Sequence, residues 1–163
     1  MEGRDLQGKT IHLATIQKVD RIALNVYSPT CIPCVKELPA LDYLHREIQK
    51  NQRGLLYLVV DPFNVTDLEE GTDFERAYTE AAKVMKEEVQ KRNIQIPVLI
   101  MKKPFEVKPG TGLITGTPET LLFETRPLNL YYNFVGPISE AMDIPQLEKD
   151  TKILFFKKVF GIF

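Results

Sequence analysis

The run Ile22-Ala-Leu-Asn-Val-Tyr-Ser-Pro-Thr-Cys31-Ile-Pro-Cys34-Val-Lys-Glu37-Leu-Pro39 reads as a buried strand that stops at Pro29 and a helix that starts just past it. Residues 22–27 are a near-continuous apolar run of strand length, the pattern of a strand covered on both faces. From Val35 onward, Leu38, Leu41, Leu44 and Ile48 recur at steps of three and four, one face of a helix over 35–49. Pro33 sits in the first turn of that helix, where a missing N–H costs little, and Pro39 falls inside it, where a kink is expected. Cys31 and Cys34 are the only two cysteines of the chain, and this pattern places them at a strand-to-helix junction. A helix N-terminus offers unpaired N–H groups and partial positive charge to a thiolate, so a thiol there is acidified and becomes a nucleophile. The pair carries its own resolving partner and can cycle between dithiol and disulfide without a metal or a bound cofactor.

At 163 residues the chain has the size of one domain, spanning 1–163, and can bury a core without disulfide staples. Its 26% charged and 44% apolar residues fit a soluble globular protein rather than a disordered one. The net charge of -1, with no stripe of Lys and Arg, argues against nucleic acid as a partner. Two cysteines are too few for a disulfide framework and too close in sequence to staple distant segments, so they serve reactivity or a metal. The opening Met1-Glu-Gly-Arg-Asp5 is charged and no long apolar core follows it, so the chain itself shows no secretory signal. That leaves either the cytosol or a compartment reached through a leader outside this sequence.

Further along, a turn around Gly8 precedes a short β-prone run over 10–16. Leu55-Leu-Tyr-Leu-Val-Val60 is a second buried-type strand, opened by Gly54 and closed by Asp61-Pro62. Thr72-Asp-Phe-Glu75 has the capping-box pattern and opens a polar helix to about Arg92. Its apolar stripe of Phe74, Tyr78, Ala81, Ala82, Met85 and Val89 predicts a helix lying on the outside of a sheet. Pro97-Val-Leu-Ile-Met101 reads as a strand, and 102–116, with Pro104, Pro109, Gly110, Gly112 and Gly116, as loop. Two further strands, Thr120-Leu-Leu-Phe-Glu124 and 128–135, lie close enough in sequence to pair antiparallel. The acidic Asp67-Leu-Glu-Glu70 reads as solvated loop. Residues 144–160 read as one terminal helix with Leu147, Ile153 or Leu154, Phe156 and Phe160 inward. The apolar tail over 153–163 is too short to span a membrane, and a partner-binding or interfacial role for it stays open. The order of elements is that of an α/β layered domain.

Around the dithiol the sequence resembles the thioredoxin superfamily, and within it the TlpA/ResA-like thiol–disulfide oxidoreductases. Asp5-Leu-Gln-Gly-Lys-Thr-Ile-His-Leu13 is similar to the family's opening segment, a glycine turn between two short strands. Leu24–Pro39 is similar to its active-site block, including a Glu three residues after the second Cys and a Pro two further on. Thr117-Pro118-Glu-Thr-Leu-Leu-Phe123 is similar to the segment that carries the superfamily's cis-proline. The resemblance implies a thioredoxin-like fold, a central mixed β-sheet flanked by helices with an N-terminal strand extension. Two features depart from the family: Thr30 fills the slot before the first Cys where Trp is usual, and 102–116 is loop where a short helix is common.

The resemblance further implies site roles. Cys31 is the expected nucleophile, its pKa lowered from about 8.5 into the range of roughly 3.5–7.5, and Cys34 resolves the mixed disulfide. Glu37, partly desolvated near the sulfurs, would have a raised pKa and could shuttle the proton that Cys34 must lose. From spacing alone it would be a solvated helix charge. Asn25 cannot titrate, and reads as a polar residue hydrogen-bonded within the sheet. Pro118 in a cis bond, with Thr117, would pair an extended substrate, and Thr30, Ile32 and Pro33 would border the sulfur. A metal is not expected: His12 and His45 are the only histidines, and both read as structural or surface groups. The expected partners are protein thiols and disulfides and a redox partner protein, with no cofactor beyond the Cys31–Cys34 disulfide and a monomer as the expected state. An extracytoplasmic setting, periplasm or cell envelope, follows from the resemblance. The rivals are a general cytosolic disulfide reductase and a non-catalytic thioredoxin-like binding module.

Overall fold

The computed structural model describes residues 1–107 and 114–162. In chain order its elements are β1 (Glu2–Asp5), β2 (Thr10–His12), a 3-10 turn (Leu13–Thr15), β3 (Arg21–Val26), α1 (Ile32–Asn51), β4 (Gly54–Val60), α2 (Pro62–Val65) and α3 (Phe74–Arg92). They continue with β5 (Val98–Met101), β6 (Glu119–Glu124), β7 (Asn129–Val135), α4 (Ile144–Lys149) and α5 (Thr151–Phe160). The strands form one mixed seven-stranded sheet in the order β2-β1-β5-β4-β3-β6-β7. The central β5, β4 and β3 run parallel, while β6, β7 and the β1–β2 hairpin join antiparallel. This is the mixed sheet with an N-terminal strand extension that the family resemblance implies.

Alternation along β3 divides the core in two. Ile22, Leu24 and Val26 join a cluster with Val59, Leu99, Leu121 and Phe123 on one face of the sheet. Ala23 and Tyr27 join the other face, where Leu41, Leu44 and Ile48 of α1, Met85 of α3 and Phe156 of α5 pack. The crossovers β3-α1-β4 and β4-α3-β5 step across the sheet in one direction, so right-handed connections put both helices on the same side. Among the described residues the first face is covered instead by Leu13, Val19, Phe105 and Ile114. At the start of β4, Gly54 lets the ring of Phe160 sit against the strand; a Cβ there would lie 2.5 Å from its Cε1.

Four local expectations are corrected. The cap of α3 is Asp73, whose Oδ1 accepts the Arg76 N–H at 3.1 Å, one residue past Thr72. An Asp cap adds negative charge at the positive end of the helix dipole. The single terminal helix over 144–160 is two, broken at Asp150. Its backbone is extended (φ −66°, ψ 121°), and its Oδ1 accepts the N–H groups of Lys152 and Ile153. An Asp that caps a new helix competes with continuation of the old one. The run over 10–16 is strand only to His12, and the 3-10 turn that follows buries Leu13. After Asp61-Pro62 comes the short α2, capped by Asp61 Oδ1 on the Phe63 N–H at 3.0 Å, where the sequence suggests only a strand end. Leu154, the alternative inward residue of α5, is exposed, and Ile153 is the buried one. Of the expected loop over 102–116, the parts at 102–107 and 114–116 have no helix or strand, and Pro109, Gly110 and Gly112 lie outside the described residues.

Candidate active site

The dithiol is oxidised: Cys31 and Cys34 form a disulfide. Cys31 is the N-cap of α1, with extended backbone (φ −88°, ψ 105°), and its Sγ accepts the Cys34 N–H at 3.2 Å. The sulfur therefore takes the place an Asp or Ser oxygen holds at other helix starts, and a thiolate there would face the helix's free N–H groups. Cys31 is half-buried and Cys34 has no exposed surface. Thr30, Ile32 and Pro33 are exposed around the first sulfur, Ile32 at 68% of its surface. Ser28 supports the approach to the helix, its carbonyl accepting the Cys31 N–H at 3.1 Å and its Oγ lying 3.1 Å from the Thr30 hydroxyl.

Beneath the dithiol, one turn further along α1, Glu37 is fully buried. Its Oε1 accepts from Asn25 Nδ2 at 3.0 Å, and its Oε2 accepts the Ile138 N–H at 2.5 Å. Burial pushes its pKa up to about 7; the donors at Ile138 and Asn25 pull against that, and the charge of Glu140 adds a little. Asn25 comes from β3 and its amide nitrogen also donates to Thr120 Oγ1 of β6 at 2.9 Å. One strand on each side of the sheet's antiparallel junction, the dithiol helix and the loop after β7 thus meet at one carboxyl.

The Thr117–Pro118 bond is cis, in the segment where the resemblance implies a cis-proline. Val26 pairs with Glu119, so Pro118 stands at the same end of the sheet as the loop leading to Cys31. Pro118 is buried and Thr117 half-buried. The Pro118 carbonyl accepts the Gly136 N–H at 3.0 Å, so residues 136–138 tie the cis-proline segment to Glu37.

Thr120, the Ile138 amide and the link from Asn25 to Glu37 are the parts of this site that sequence reading misses. Asn25 is hydrogen-bonded across the sheet as expected, but its second partner is the helix carboxylate. A lone amide in an apolar strand, at the parity of Ala23 and Tyr27 that faces α1, is the signal that could have found it. His12 is exposed beside Glu2, and His45 is buried with its pKa pushed down by burial. Among the described residues no group of three or more His, Cys, Asp and Glu is placed to hold a metal ion. No helix among them is long and apolar enough to cross a membrane.

No family model and no curated protein matches the sequence. Solved structures do match. A thiol:disulfide interchange protein of the thioredoxin family from Chlorobium tepidum is 19% identical, with 95% of this chain and 91% of that one covered at a TM-score of 0.60. A putative thiol-disulfide oxidoreductase from Bacteroides vulgatus is 22% identical, with 99% and 86% covered at 0.58. The exposed lipoprotein thioredoxin of Streptococcus pneumoniae is 17% identical, with 92% and 98% covered at 0.59. Together with the sheet order and the half-exposed disulfide at a helix start, these likenesses show that the chain has the thioredoxin-like fold.

Proposed function

We propose that the chain is a thiol–disulfide oxidoreductase that exchanges disulfides with protein substrates, as a reductase in the cell envelope. The observation that carries this reading is the Cys31–Cys34 disulfide across the first turn of α1, with Cys31 only half-buried and Cys34 fully buried. The similar solved proteins, a thiol:disulfide interchange protein and a putative thiol-disulfide oxidoreductase among them, support the chemistry, and the streptococcal one, an exposed lipoprotein, supports the setting.

In the reducing direction the Cys31 thiolate attacks one sulfur of a substrate disulfide. A mixed disulfide forms and the substrate's other sulfur leaves as thiolate, taking a proton from water. Cys34 then gives its proton to the Glu37 carboxylate and attacks Cys31 Sγ, which closes the Cys31–Cys34 disulfide and releases the second substrate thiolate. Two electrons pass from the dithiol to the substrate, and a partner dithiol protein returns them. Thr117, turned by the cis bond to Pro118, offers its backbone N–H and C=O to an extended substrate, with Pro118 holding the turn, while Thr30, Ile32 and Pro33 form the exposed rim.

Insulin reduction by the wild type and by Cys31→Ser tests the reading. Activity lost in the variant is the expected result, and equal activity in both would remove the enzyme reading in favour of a binding module. Glu37→Gln is expected to change the pH dependence of exchange; an unchanged profile would remove Glu37 from the proton path.

A further inference from the structure

Asn25 makes an incomplete set of hydrogen bonds for a buried amide. Its nitrogen donates twice, to Glu37 Oε1 at 3.0 Å and Thr120 Oγ1 at 2.9 Å, while its Oδ1 is buried with no hydrogen-bond partner in the protein. A side chain kept only to join β3 to its neighbours would use both ends, because an unpaired buried oxygen costs free energy. Here only the donor end is used, and both its hydrogens are fixed. Leucine at this place would fit the apolar strand but would give Glu37 no donor. Aspartate would set a second carboxyl within hydrogen-bonding distance of the first, where both could not ionise together.

We propose that Asn25, held in register by the Thr120 hydroxyl, is a positioning residue that sets the proton affinity of Glu37. Thr120 accepts the second amide hydrogen, which fixes the amide plane so that the first hydrogen points at Oε1. Without that acceptor the amide can rotate and turn its oxygen toward the carboxylate. The donor stabilises the ionised carboxyl and so opposes the burial that favours the protonated one. Among the described residues the groups acting on Glu37 are few: the charge of Glu140 in the loop after β7 and the non-titrating Asn25 amide and Ile138 N–H, with Thr120 behind Asn25. Glu140 and burial both favour the protonated form, and of the side chains Asn25 alone opposes them. The inference rests on the reading of Glu37 as the proton carrier, which it deepens by naming what tunes it.

The test is the titration of the Glu37 carboxyl itself, followed by carboxyl-carbon NMR in the oxidised protein, where neither cysteine titrates. Thr120→Val, close in shape but without the hydroxyl, is expected to raise the Glu37 midpoint by about half a unit, and Thr120→Ser to leave it near the wild-type value. Asn25→Leu is expected to raise it by about one to two units. The pH profile of exchange should move by the same amounts in the same direction. Thr120→Val and Thr120→Ser giving the wild-type midpoint alike would overturn the proposal, and they decide it alone where Asn25→Leu fails to fold. The failure of the carrier reading looks different: Glu37→Gln would then leave the exchange profile unchanged, while the NMR midpoints could still move with Thr120.

Discussion

A carboxyl with no exposed surface holds its proton more tightly in the folded protein than in the unfolded chain. For Glu37 the ordinary value of 4.5 becomes about 7. Between those two pH values the folded state keeps a proton the unfolded state has released, so stability falls as pH rises through the window. The favourable contribution is fully present below the unfolded value and gone above the folded one. The span corresponds to about 3 kcal/mol. Glu37→Gln removes the titration, so the stability of wild type relative to the variant should drop by about 3 kcal/mol between about pH 4 and about pH 8. Urea unfolding at both ends measures it, and a constant difference would mean that Glu37 titrates alike folded and unfolded. Part of this site is legible in the sequence: Cys31 and Cys34 share one helix start, while Glu37 and Thr117-Pro118 stand out only through the family resemblance. Its tuning partners are not local. Thr120 and Ile138 stand 95 and 101 positions from the residues they bond, and only sheet register and the turn after β7 bring them in.

At the scale of elements, the break between α4 and α5 depends on one side chain. Asp150 accepts two backbone N–H groups at the start of α5 and the Ser139 hydroxyl at 2.6 Å. Burial opposes its ionised form, but these donors outweigh it and hold its pKa below the ordinary value. Its contribution is therefore present at neutral pH and lost as pH falls through its folded value. Asp150→Ala is expected to cost about 1–2 kcal/mol at neutral pH in urea unfolding, and Asp150→Asn much less, since Asn caps nearly as well. Equal losses in both would point to the charge rather than the cap. The same residue shows why periodicity overreaches. Leu147, Ile153, Phe156 and Phe160 are all buried, so the apolar pattern runs on through 144–160, while the backbone turns at a residue whose capping tendency the pattern ignores. The strands over 21–26, 54–60 and 119–124 are legible for the opposite reason: they are interior to the sheet and each carries a run of three or more consecutive apolar residues, Ile22–Leu24, Leu55–Val60 and Leu121–Phe123. The strand β1, second from the edge between β2 and β5, has one buried residue, Gly3, and no apolar run to read.

For the whole molecule, fold stability and redox direction are linked by one cycle. The oxidised and reduced proteins differ in unfolding free energy by as much as the folded dithiol's reduction potential differs from that of the same cysteines in the unfolded chain, about 1.4 kcal/mol for each 30 mV. The structure contains terms of both signs. The N-terminus of α1 and the Cys34 N–H on Cys31 Sγ stabilise a thiolate and so the reduced form. Partial burial of Cys31 and an ionised Glu37 on the same helix oppose the negative charge of the Cys31 thiolate, which favours the disulfide. A reductase requires the second set to win: the folded protein must prefer its disulfide, because that preference drives electrons out to the substrate. The oxidised protein is therefore expected to unfold at higher urea than the dithiol form, by at least about 1 kcal/mol at neutral pH. Unfolding curves with and without a thiol reductant measure the order. If the dithiol form is the more stable, the site draws electrons in and the chain is an oxidase of protein thiols, with the same residues in the same places and the exchange running the other way.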